Sequence, residues 1–484
     1  MQFLEFHRDE LLYFSLSNHI DLGYASVPPF ISWMAYIMKG IFGFSMFSVK
    51  LLPALLSGVY VYLGSKIAKE LGGNFYAQVL TIIALIFTPL GLRAFILFQP
   101  VPFDIFFWTL IYFVILKYIN TQQNKWLFIL GVVIGFSILN KYLVLLQLFS
   151  LIAVIPFTKY RNLFWKPQFY ACLGIALLIA SPNIYWQFAN DTPLFTHMSA
   201  LQETQLQYVE KSVFMFEQVF MNHTSFIIVI VGFIFLFNYS KEKQLWLFSI
   251  SALIVILTLL FLNGKSYYAA GVYPFLIAAG CVFISSKLKA TWSKVVVIVG
   301  IIALILPIFP MGIPILPPKK LASYFDTLEN YGIDIGRIHE DGNKHPLPQD
   351  FADMTGWSDI AVIAKEAYDK VEDKEACAIF GENYGIAGAV TLINKKYGMP
   401  ETMSFSGSFE YWVPRHFDPD ITSFIYINDE LGSNVEALFE DIKIIGSIDD
   451  PLSRQYGVTI YLCQKPRRSF NDFWKEVVES VSGD

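Results

Sequence analysis

The sequence has few charged residues, since Asp, Glu, Lys and Arg together make up 15% of its 484 positions. A soluble globular protein usually has roughly 25%. No block of basic residues occurs, which argues against nucleic acid as a partner, and the net charge of −5 is too small to indicate one. We also find no internal repeat, no low-complexity tract and no cleavable signal peptide. These absences exclude several common classes of soluble and nucleic-acid-binding protein.

Cysteine is also scarce, and its spacing does not match a metal site. The four positions are Cys172, Cys281, Cys377 and Cys463. The first two fall in apolar segments, where we interpret them as small packing residues. The other two fall in predicted strands, where a disulfide is an open alternative.

The sequence is instead rich in apolar residues, with 55% hydrophobic and 17% aromatic positions and a mean hydropathy of +0.49. The excess is concentrated before residue 311, in blocks of about 17–25 residues that are long enough to cross a bilayer. We predict a multi-pass membrane protein. The predicted spanning segments are 49–69, 75–98, 101–118, 125–140, 142–158, 168–187, 223–239, 244–262, 267–286 and 294–311.

The loops between these segments alternate in positive charge. The richer set contains Lys66, Lys69, Lys117, Lys125, Lys159, Arg161, Lys166, Lys241, Lys243, Lys287, Lys289 and Lys294. The poorer set contains Arg8, Lys39, Lys50, Arg93, Lys141, Lys211 and Lys265. Cytoplasmic loops carry the excess of Lys and Arg. We therefore predict that residues 1–48, the loop 188–222 and the C-terminal region lie outside the cytoplasm.

The N-terminal region would then lie outside with no helix before it. Either it crosses the membrane on its own, or a further helix is encoded upstream of Met1, and we expect the second. Within this region "PPFISWMAYIMKGIFG" has the pattern of a helix lying in the membrane interface. Its apolar stripe contains Phe30, Trp33, Met34, Ile37 and Ile41.

After residue 311 the pattern changes to that of a small α/β domain. Strands are predicted in "ACAIFGENYG", "TSFIYIND" and "GVTIYLCQK". Helices are predicted in "DIAVIAKEAYDKV", "IAGAVTLINKKYG" and "NVEALFEDI". We therefore divide the chain into an extracytoplasmic loop (1–48), a transmembrane domain (49–311) and an extracytoplasmic α/β domain (312–484).

Several ionisable or polar residues are predicted on the outer side, some of them where a membrane helix begins or ends. They are Asp9, Glu10, Asp104, Lys141, Asp191, His197, His223, Lys265, Tyr267 and Tyr268. An ionisable group at such a place is a candidate functional residue. A carboxylate can deprotonate a hydroxyl, and a lysine can neutralise a leaving phosphate. This combination suits glycosyl transfer from a lipid-linked sugar phosphate.

Each candidate also has a structural alternative. Asp9 could cap the helix in "ELLYFSLSNHI", and Asp104 could cap a helix that begins after Pro102. Lys141 and Lys265 could be lysines that extend to the membrane surface, and the two histidines could be surface residues. In "ENYGIAGA" the start of a helix could bind an anion, but a plain strand–turn–helix is the simpler interpretation.

Taken in order, the quoted segments resemble a known family. The segments "RDELLYFSLSNHIDLGYASVPPF", "FGFSMFSVKLLPALLSG", "QPVPFDIFFWTLIYFVIL", "LNKYLVLL", "SPNIYWQFAND" and "GKSYYAAGVYPFLIAAG" are similar to segments of bacterial glycosyltransferase family 39 membrane proteins. These are relatives of protein O-mannosyltransferases and of the lipid A aminoarabinose transferase. The C-terminal "PLPQDFADMTGW", "FGENYGIAGAV" and "YWVPR" resemble the appended domain of one bacterial subgroup. The resemblance covers nearly the whole chain.

The resemblance implies a mainly α membrane protein with a GT-C transmembrane domain, followed here by the small α/β domain. It also implies an active site outside the cytoplasm of a bacterial inner membrane, with polyprenyl phosphate as the carrier of the sugar. Asp9 matches the family's catalytic aspartate, Glu10 is its neighbour, and Asp104 matches the acidic residue of a proline–aspartate segment. Lys265, Tyr267 and Tyr268 match a segment near the donor phosphate.

The sequence departs from the family at three places. The family's first transmembrane helix is missing before the Asp-Glu pair. Ser26 and Val27 precede "PP", where many relatives have a polar or charged residue, and the tryptophan of "SPNIYWQFAND" lacks the histidine that often follows it. Contacts to donor or acceptor at these points are therefore open.

From the sequence we predict an inverting glycosyltransferase that moves a monosaccharide from a polyprenyl-phosphate donor to a hydroxyl of a lipid, glycan or protein. Asp9 is the expected base, and Lys265 with Lys141 or Arg8 is expected to hold the phosphate. A divalent metal is possible but is not indicated by the residues. The alternatives are a transporter or flippase of lipid-linked sugars and a non-catalytic paralogue. A transporter often has internal repeats and interrupted helices at mid-membrane, which the sequence does not show.

Overall fold

Helices dominate the structure, a computed structural model that describes residues 3–238, 243–333, 336–339 and 341–482. Lys241, one of the loop charges used to predict the topology, lies outside the described residues. In chain order the helices before residue 314 are α1 (Arg8–Leu16), α2 (Phe30–Phe42), α3 (Met46–Glu70), α4 (Phe75–Ile86), α5 (Pro89–Ala94), α6 (Pro100–Thr121), α7 (Lys125–Asn140), α8 (Val144–Val154), α9 (Pro167–Ala189), α10 (Pro193–Thr204), α11 (Lys211–Met221), α12 (Phe226–Asn238), α13 (Trp246–Phe261), α14 (Tyr273–Lys287), α15 (Thr291–Ile305) and α16 (Phe309–Gly312).

The remaining elements alternate between helix and strand. They are α17 (Pro318–Asn330), α18 (Gln349–Ala352), α19 (Trp357–Asp369), β1 (Cys377–Gly381), α20 (Tyr384–Asn394), β2 (Ser423–Asn428), α21 (Ser433–Leu438), β3 (Phe439–Ser447), β4 (Thr459–Pro466) and α22 (Phe470–Ser482).

Five helical segments of the described chain are long and apolar enough to cross a membrane, and up to seven if each of two bent helix pairs is one span. Helices occupy all ten of the predicted segments. However, the predicted segments 75–98, 125–140 and 244–262 contain apolar helices that are shorter than the roughly 20 residues of a straight crossing. The multi-pass membrane character is therefore confirmed. The number of helical segments long enough to span, five to seven, is smaller than the ten predicted.

One predicted span is interrupted. We predicted a single segment over 75–98, but α4 ends at Ile86 and α5 begins at Pro89. Proline has no N–H to donate and restricts the residue before it, so the chain leaves the helix before Thr88. The Thr88 Oγ1 then caps α5 by accepting a hydrogen bond from the amide of Gly91 at 2.9 Å.

The chain divides into two compact units. The mixed unit comprises Met1–Ile20, Ser32–Val49 and Pro314–Asp484, and the helical unit comprises Asp21–Ile31 and Lys50–Ile313. The N-terminal residues that carry Asp9 thus belong to the same unit as the C-terminal α/β region. Each unit is described separately below.

In the helical unit, α6 packs against a short 3₁₀ helix, Ser266–Val272, that leads into α14. Gly271 allows this approach, because a Cβ there would lie 2.5 Å from the Cβ of the fully buried Trp108. The contact brings the turn of α6 that carries Asp104 and Trp108 close to the 3₁₀ helix that carries Tyr267 and Tyr268.

The mixed unit contains one four-stranded sheet with the order β1-β2-β4-β3. The β1–β2 pair is parallel, whereas β4 is antiparallel to both β2 and β3. The predicted α/β pattern and its three strands are confirmed. The predicted helix in "NVEALFEDI" is wrong in its second half, because the chain leaves α21 after Leu438 and Phe439 begins the edge strand β3.

The core of the mixed unit is aromatic. On one side of the sheet, Phe424 of β2 packs with Phe470 and Trp474 of α22. All four cysteines of the chain lie within the described residues and are free, buried thiols, so the disulfide alternative for Cys377 and Cys463 does not hold.

Helix α1 docks against α20 within the mixed unit. A Cβ on Gly385 would lie 2.7 Å from a ring carbon of the fully buried Trp357 and 2.8 Å from Cγ of Arg8. A Cβ on Gly388 would lie 3.0 Å from the carbonyl oxygen of Leu11. Two glycines on one face of α20 therefore let α1 approach closely, which sets the position of the residues at its start.

We predict that Gly385→Ala destabilises the mixed unit, because overpacking of a rigid, buried neighbour such as Trp357 costs about 1–3 kcal/mol. The melting temperature of the purified full chain in detergent should fall. Gly40→Ala is the matched control, since Gly40 is a helical glycine of the same unit and a Cβ added there would have no atom within 4 Å. Alanine is favoured over glycine in a helix, so this control should melt at or above the wild-type temperature. Equal melting of Gly385→Ala and wild type would contradict the packing argument.

Candidate active site

The start of α1 is capped by two residues other than Asp9. The amide of Asp9 donates to Nδ1 of His7 at 3.1 Å, and the amide of His7 donates to Oε2 of Glu10 at 2.9 Å. This reciprocal pair is a capping box in which histidine takes the place of the usual serine or threonine. The alternative in which Asp9 serves only as the cap is therefore wrong.

The two predicted catalytic acids have different surroundings. Glu10 is fully buried, and its carboxylate holds the backbone at the start of the helix. Asp9 is half-buried, and its Oδ1 accepts a hydrogen bond from the hydroxyl of Tyr384, the first residue of α20, at 3.0 Å. Of the pair, Asp9 has the surroundings expected of a residue that meets a substrate.

Tyr384 also contacts Arg8, whose guanidinium carbon lies 4.4 Å from the centre of the tyrosine ring. Burial, followed by the charge of Asp9, raises the pKa of Tyr384, so its hydroxyl stays protonated and can donate to the carboxylate. One side chain thus holds both Arg8 and Asp9 in place.

A second layer of charges surrounds this group. Asp353 is buried and lies 3.1 Å from Nη1 of Arg454, and its carbonyl accepts a hydrogen bond from the amide of Arg8. Burial raises the pKa of Asp353, although the charges of His7, Arg454 and Arg8 oppose this.

His7 is buried beside three carboxylates. Burial alone would lower its pKa, but its approach to Asp350, at 3.8 Å, and the charges of Asp9 and Asp353 outweigh burial and raise the pKa. The carboxylates therefore favour the protonated ring, whereas the cap is made only by the neutral ring, because Nδ1 accepts from the Asp9 amide only while it carries no proton.

The other predicted site residues form a second group in the helical unit. Nζ of Lys141, the residue that ends α7, lies 4.5 Å from the ring centre of Tyr268 and 5.3 Å from that of Tyr267. Asp104 and Lys265 are near enough for their charges to act on Lys141. Asp104 is the fifth residue of α6, so it is not the helix cap that the structural alternative proposed.

Asp104 is buried, with 7% of its surface exposed, and its Oδ1 has no hydrogen-bond partner among the described residues. Next to it the 3₁₀ helix is fixed by Glu217, which accepts from the hydroxyl of Ser266, and by Gln218, which donates to the Ser266 carbonyl at 3.1 Å. Asp104 thus lies close to Lys141 and Tyr268, and Lys141 in turn lies close to Lys265 and Tyr267. A buried ionisable group of this kind in a membrane helix is a candidate functional residue.

The structure thus brings the predicted residues together as two groups, one in each unit. Arg8, Asp9 and Glu10 belong to the mixed unit, and the helical unit contains the rest: Asp104, Lys141, Lys265, Tyr267 and Tyr268. Among the described residues, no group of three or more His, Cys, Asp and Glu side chains could hold a metal ion.

Sequence reasoning missed Tyr384, His7 and Asp353. Tyr384 lies in "ENYGIAGA", which we considered as an anion-binding helix start. The amides of Gly385 and Ile386 instead donate to Oδ1 of Asn383, so the plain strand–turn–helix interpretation describes this segment. No local signal could reveal the contact with Asp9, because 375 positions separate the two residues.

We predict that His7→Asn removes a pH-dependent part of the stability. The folded-state pKa of His7 lies above the ordinary value of 6.5, so its charge stabilises the folded chain fully below pH 6.5. This contribution is lost as the pH rises through the raised pKa. Asparagine keeps the capping acceptor but does not titrate. Melting temperature measured between about pH 6 and 8 should fall with pH in the wild type and fall less in the variant. His416→Asn, at an exposed position, is the control. If the melting temperature of His7→Asn falls with pH as steeply as that of the wild type, the stabilising charge of His7 is refuted.

Comparison with known proteins gives a match to a family model over part of the chain and a fold for nearly all of it. The family model described as Dolichyl-phosphate-mannose-protein mannosyltransferase matches residues 26–186. The structure of ArnT from Cupriavidus metallidurans bound to undecaprenyl phosphate is similar with a TM-score of 0.65 at 14% identity, over 94% of this chain and 92% of that chain. The apo structure of the same protein gives 0.62 at 12% identity, over 95% and 94%. A comparison with curated protein sequences finds no match.

These findings favour the transferase over the transporter among the predicted functions. The resemblance to membrane glycosyltransferases is confirmed, by the family model for residues 26–186 and by the GT-C fold for the chain as a whole.

Proposed function

We propose that the chain is an inverting glycosyltransferase that moves a monosaccharide from a polyprenyl-phosphate donor to an extracytoplasmic hydroxyl. The observation that carries this proposal is the set of contacts around Asp9. Its capping function is taken by His7 and Glu10, and its half-buried carboxylate is held by Tyr384. The family-model match supports the reaction class.

In this mechanism Asp9 accepts the proton of the acceptor hydroxyl. The hydroxyl oxygen forms a bond to the anomeric carbon as the bond from that carbon to the phosphate oxygen breaks. The electron pair of the broken bond stays with the phosphate, which leaves on its lipid. A single displacement inverts the anomeric centre.

Lys141 and Lys265 are the proposed phosphate-binding residues, because cations at a leaving phosphate stabilise the charge that develops on it. The rings of Tyr267 and Tyr268 pack against Lys141 and limit its freedom. Asp104 balances the lysine charges when no donor is bound. Arg8, stacked on Tyr384, is the candidate cation on the side of the base.

The carrier lipid and the orientation are part of the proposal. A fold neighbour is a protein whose structure contains undecaprenyl phosphate, which supports a polyprenyl-phosphate donor. The distribution of Lys and Arg in the loops supports an orientation with Asp9 and the C-terminal region outside the cytoplasm. The bacterial inner membrane is implied by the resemblance to the family. A lipid, a glycan or a protein could supply the acceptor hydroxyl.

We predict that Asp9→Asn abolishes transfer from radiolabelled polyprenyl-phosphate sugars in isolated membranes while the protein still accumulates. Asparagine retains the shape of the side chain but cannot accept the proton, and loss of a general base typically costs about 10²–10⁴-fold in rate. Asp449→Asn, at an exposed loop position of the same unit, is the control. Full activity in Asp9→Asn would remove Asp9 from the catalytic role.

We also predict that Tyr384→Phe lowers kcat about tenfold, which corresponds to about 1.4 kcal/mol, because the hydrogen bond holds the Asp9 carboxylate in one orientation. The ring and its contact with Arg8 are retained, so KM for the donor and the melting temperature should stay close to wild type. Tyr331→Phe, at a position 80% exposed, is the control. A parallel loss of stability and activity would instead indicate that Tyr384 only supports the fold.

A further inference from the structure

A cavity of about 340 Å³ lies in the mixed unit, away from the residues that surround Asp9. It is enclosed by the turn after α1, by β1, by α20 and by the segment from Pro400 to Ile421. The volume falls within the range of ligand pockets, roughly 300–1,000 Å³. None of the predicted site residues lines it.

One side of the cavity is aromatic. The ring of His19 stacks on Trp412 with 4.1 Å between ring centres and 10° between planes. Phe409 meets the same tryptophan edge-on at 5.5 Å. Rigid aromatic rings at a pocket offer flat apolar surfaces to a ligand at little entropic cost.

The polar groups beside this side are fixed by hydrogen bonds. Asn18 donates to Oε1 of Glu401 at 2.9 Å, and Nε2 of His19 lies 2.8 Å from Oε2 of the same residue. Nζ of Lys39 in turn donates to Oδ1 of Asn18 at 2.6 Å. The bond to His19 lowers the pKa of Glu401, so the carboxylate remains charged and can accept further hydrogen bonds.

Two buried hydroxyls in the cavity lining have no use in the fold. Thr402 is 3% exposed and Ser15 is 2% exposed, and neither Oγ atom has a hydrogen-bond partner among the described residues. A buried hydroxyl without a partner costs about 1–3 kcal/mol. Neither oxygen is accessible from the cavity in its present rotamer, so a ligand with several hydroxyls of its own would satisfy both once the two side chains rotate about χ1.

The charge of the lining excludes one class of ligand. Three acidic residues, Glu375, Glu401 and Asp418, line the cavity, whereas His19 is the basic member of the described lining. A phosphorylated or carboxylated ligand would meet repulsion there. An uncharged ligand or one with an amine would not.

We propose that this cavity binds one sugar unit of an unphosphorylated saccharide. The apolar face of the sugar ring packs on the aromatic side. Its hydroxyls bond to Glu401 and, once their side chains rotate toward the cavity, to Thr402 and Ser15. Helix α1 carries Asp9 at its start and lines the cavity with Ser15 near its end, about 9 Å along the axis at 1.5 Å per residue. Binding of a saccharide in this cavity does not depend on the proposed function. The further inference that this saccharide is part of the acceptor does rest on it.

The test uses the full chain in detergent and three probes: maltotriose, chitotriose and the trisaccharide of glucosamine. Ligand-observed nuclear magnetic resonance should detect at least one of them, with Kd at or below the millimolar range, about −4 kcal/mol. Trp412→Leu, Glu401→Gln and Thr402→Val should each weaken that binding at least tenfold. Glu440→Gln, an exposed carboxylate of the same unit, should not.

Thr402→Val separates binding from folding. Valine has nearly the same shape and removes a hydroxyl that lacks a partner, so the melting temperature should stay equal or rise while binding falls. The proposal is overturned if no probe binds at about 10 mM, if all variants bind as wild type does, or if a phosphorylated maltotriose binds more tightly than maltotriose. Binding is measured without transfer, so Asp9→Asn should bind the probes normally, and a failure of one proposal leaves the other standing.

Discussion

The close packing of α1 on α20 is the contact on which the rest of the mixed unit's candidate site depends. Gly385 and Gly388 leave room for Arg8, Leu11 and Ser15, which lie at spacings of three and four along one face of α1. The same contact brings the Tyr384 hydroxyl to Asp9 at the start of α1 and brings Ser15 to the cavity near its end. Larger side chains on α20 would separate both sets of residues at once.

The capping box at the start of α1 decides how the carboxylates of Asp9 and Glu10 are used. A carboxylate at a helix start is usually used by the helix itself, because the first amides need acceptors and the helix dipole favours negative charge. Here His7 and Glu10 supply the acceptors. Asp9 is thereby available for another function, while the neighbouring carboxylate is buried and fixed. Two adjacent acids of similar chemistry thus have different surroundings through local geometry alone.

The sequence predicted correctly those features that depend on local patterns of residues. Long apolar runs predicted the membrane helices, and ordered motifs predicted the resemblance to membrane glycosyltransferases. It failed where distant parts of the chain decide the outcome. Tyr384 could not be assigned to Asp9 without the fold, and β3 reads as a helix because its Glu440, Asp441 and Lys443 are typical of a solvated helix face. Only its pairing with β4 makes it a strand. The break at Thr88–Pro89 was readable from proline alone and was overlooked within an apolar run.

The hydrogen bond between Tyr384 and Asp9 also sets the order in which the protein can mature. The two residues are 375 positions apart. At a synthesis rate of about 5–20 residues per second, Asp9 emerges from the ribosome roughly 20–75 s before its partner. During that interval α1 lacks the surface against which it packs. Assembly of this contact is therefore a late event, and the surroundings of Asp9 are incomplete until α20 has been synthesised.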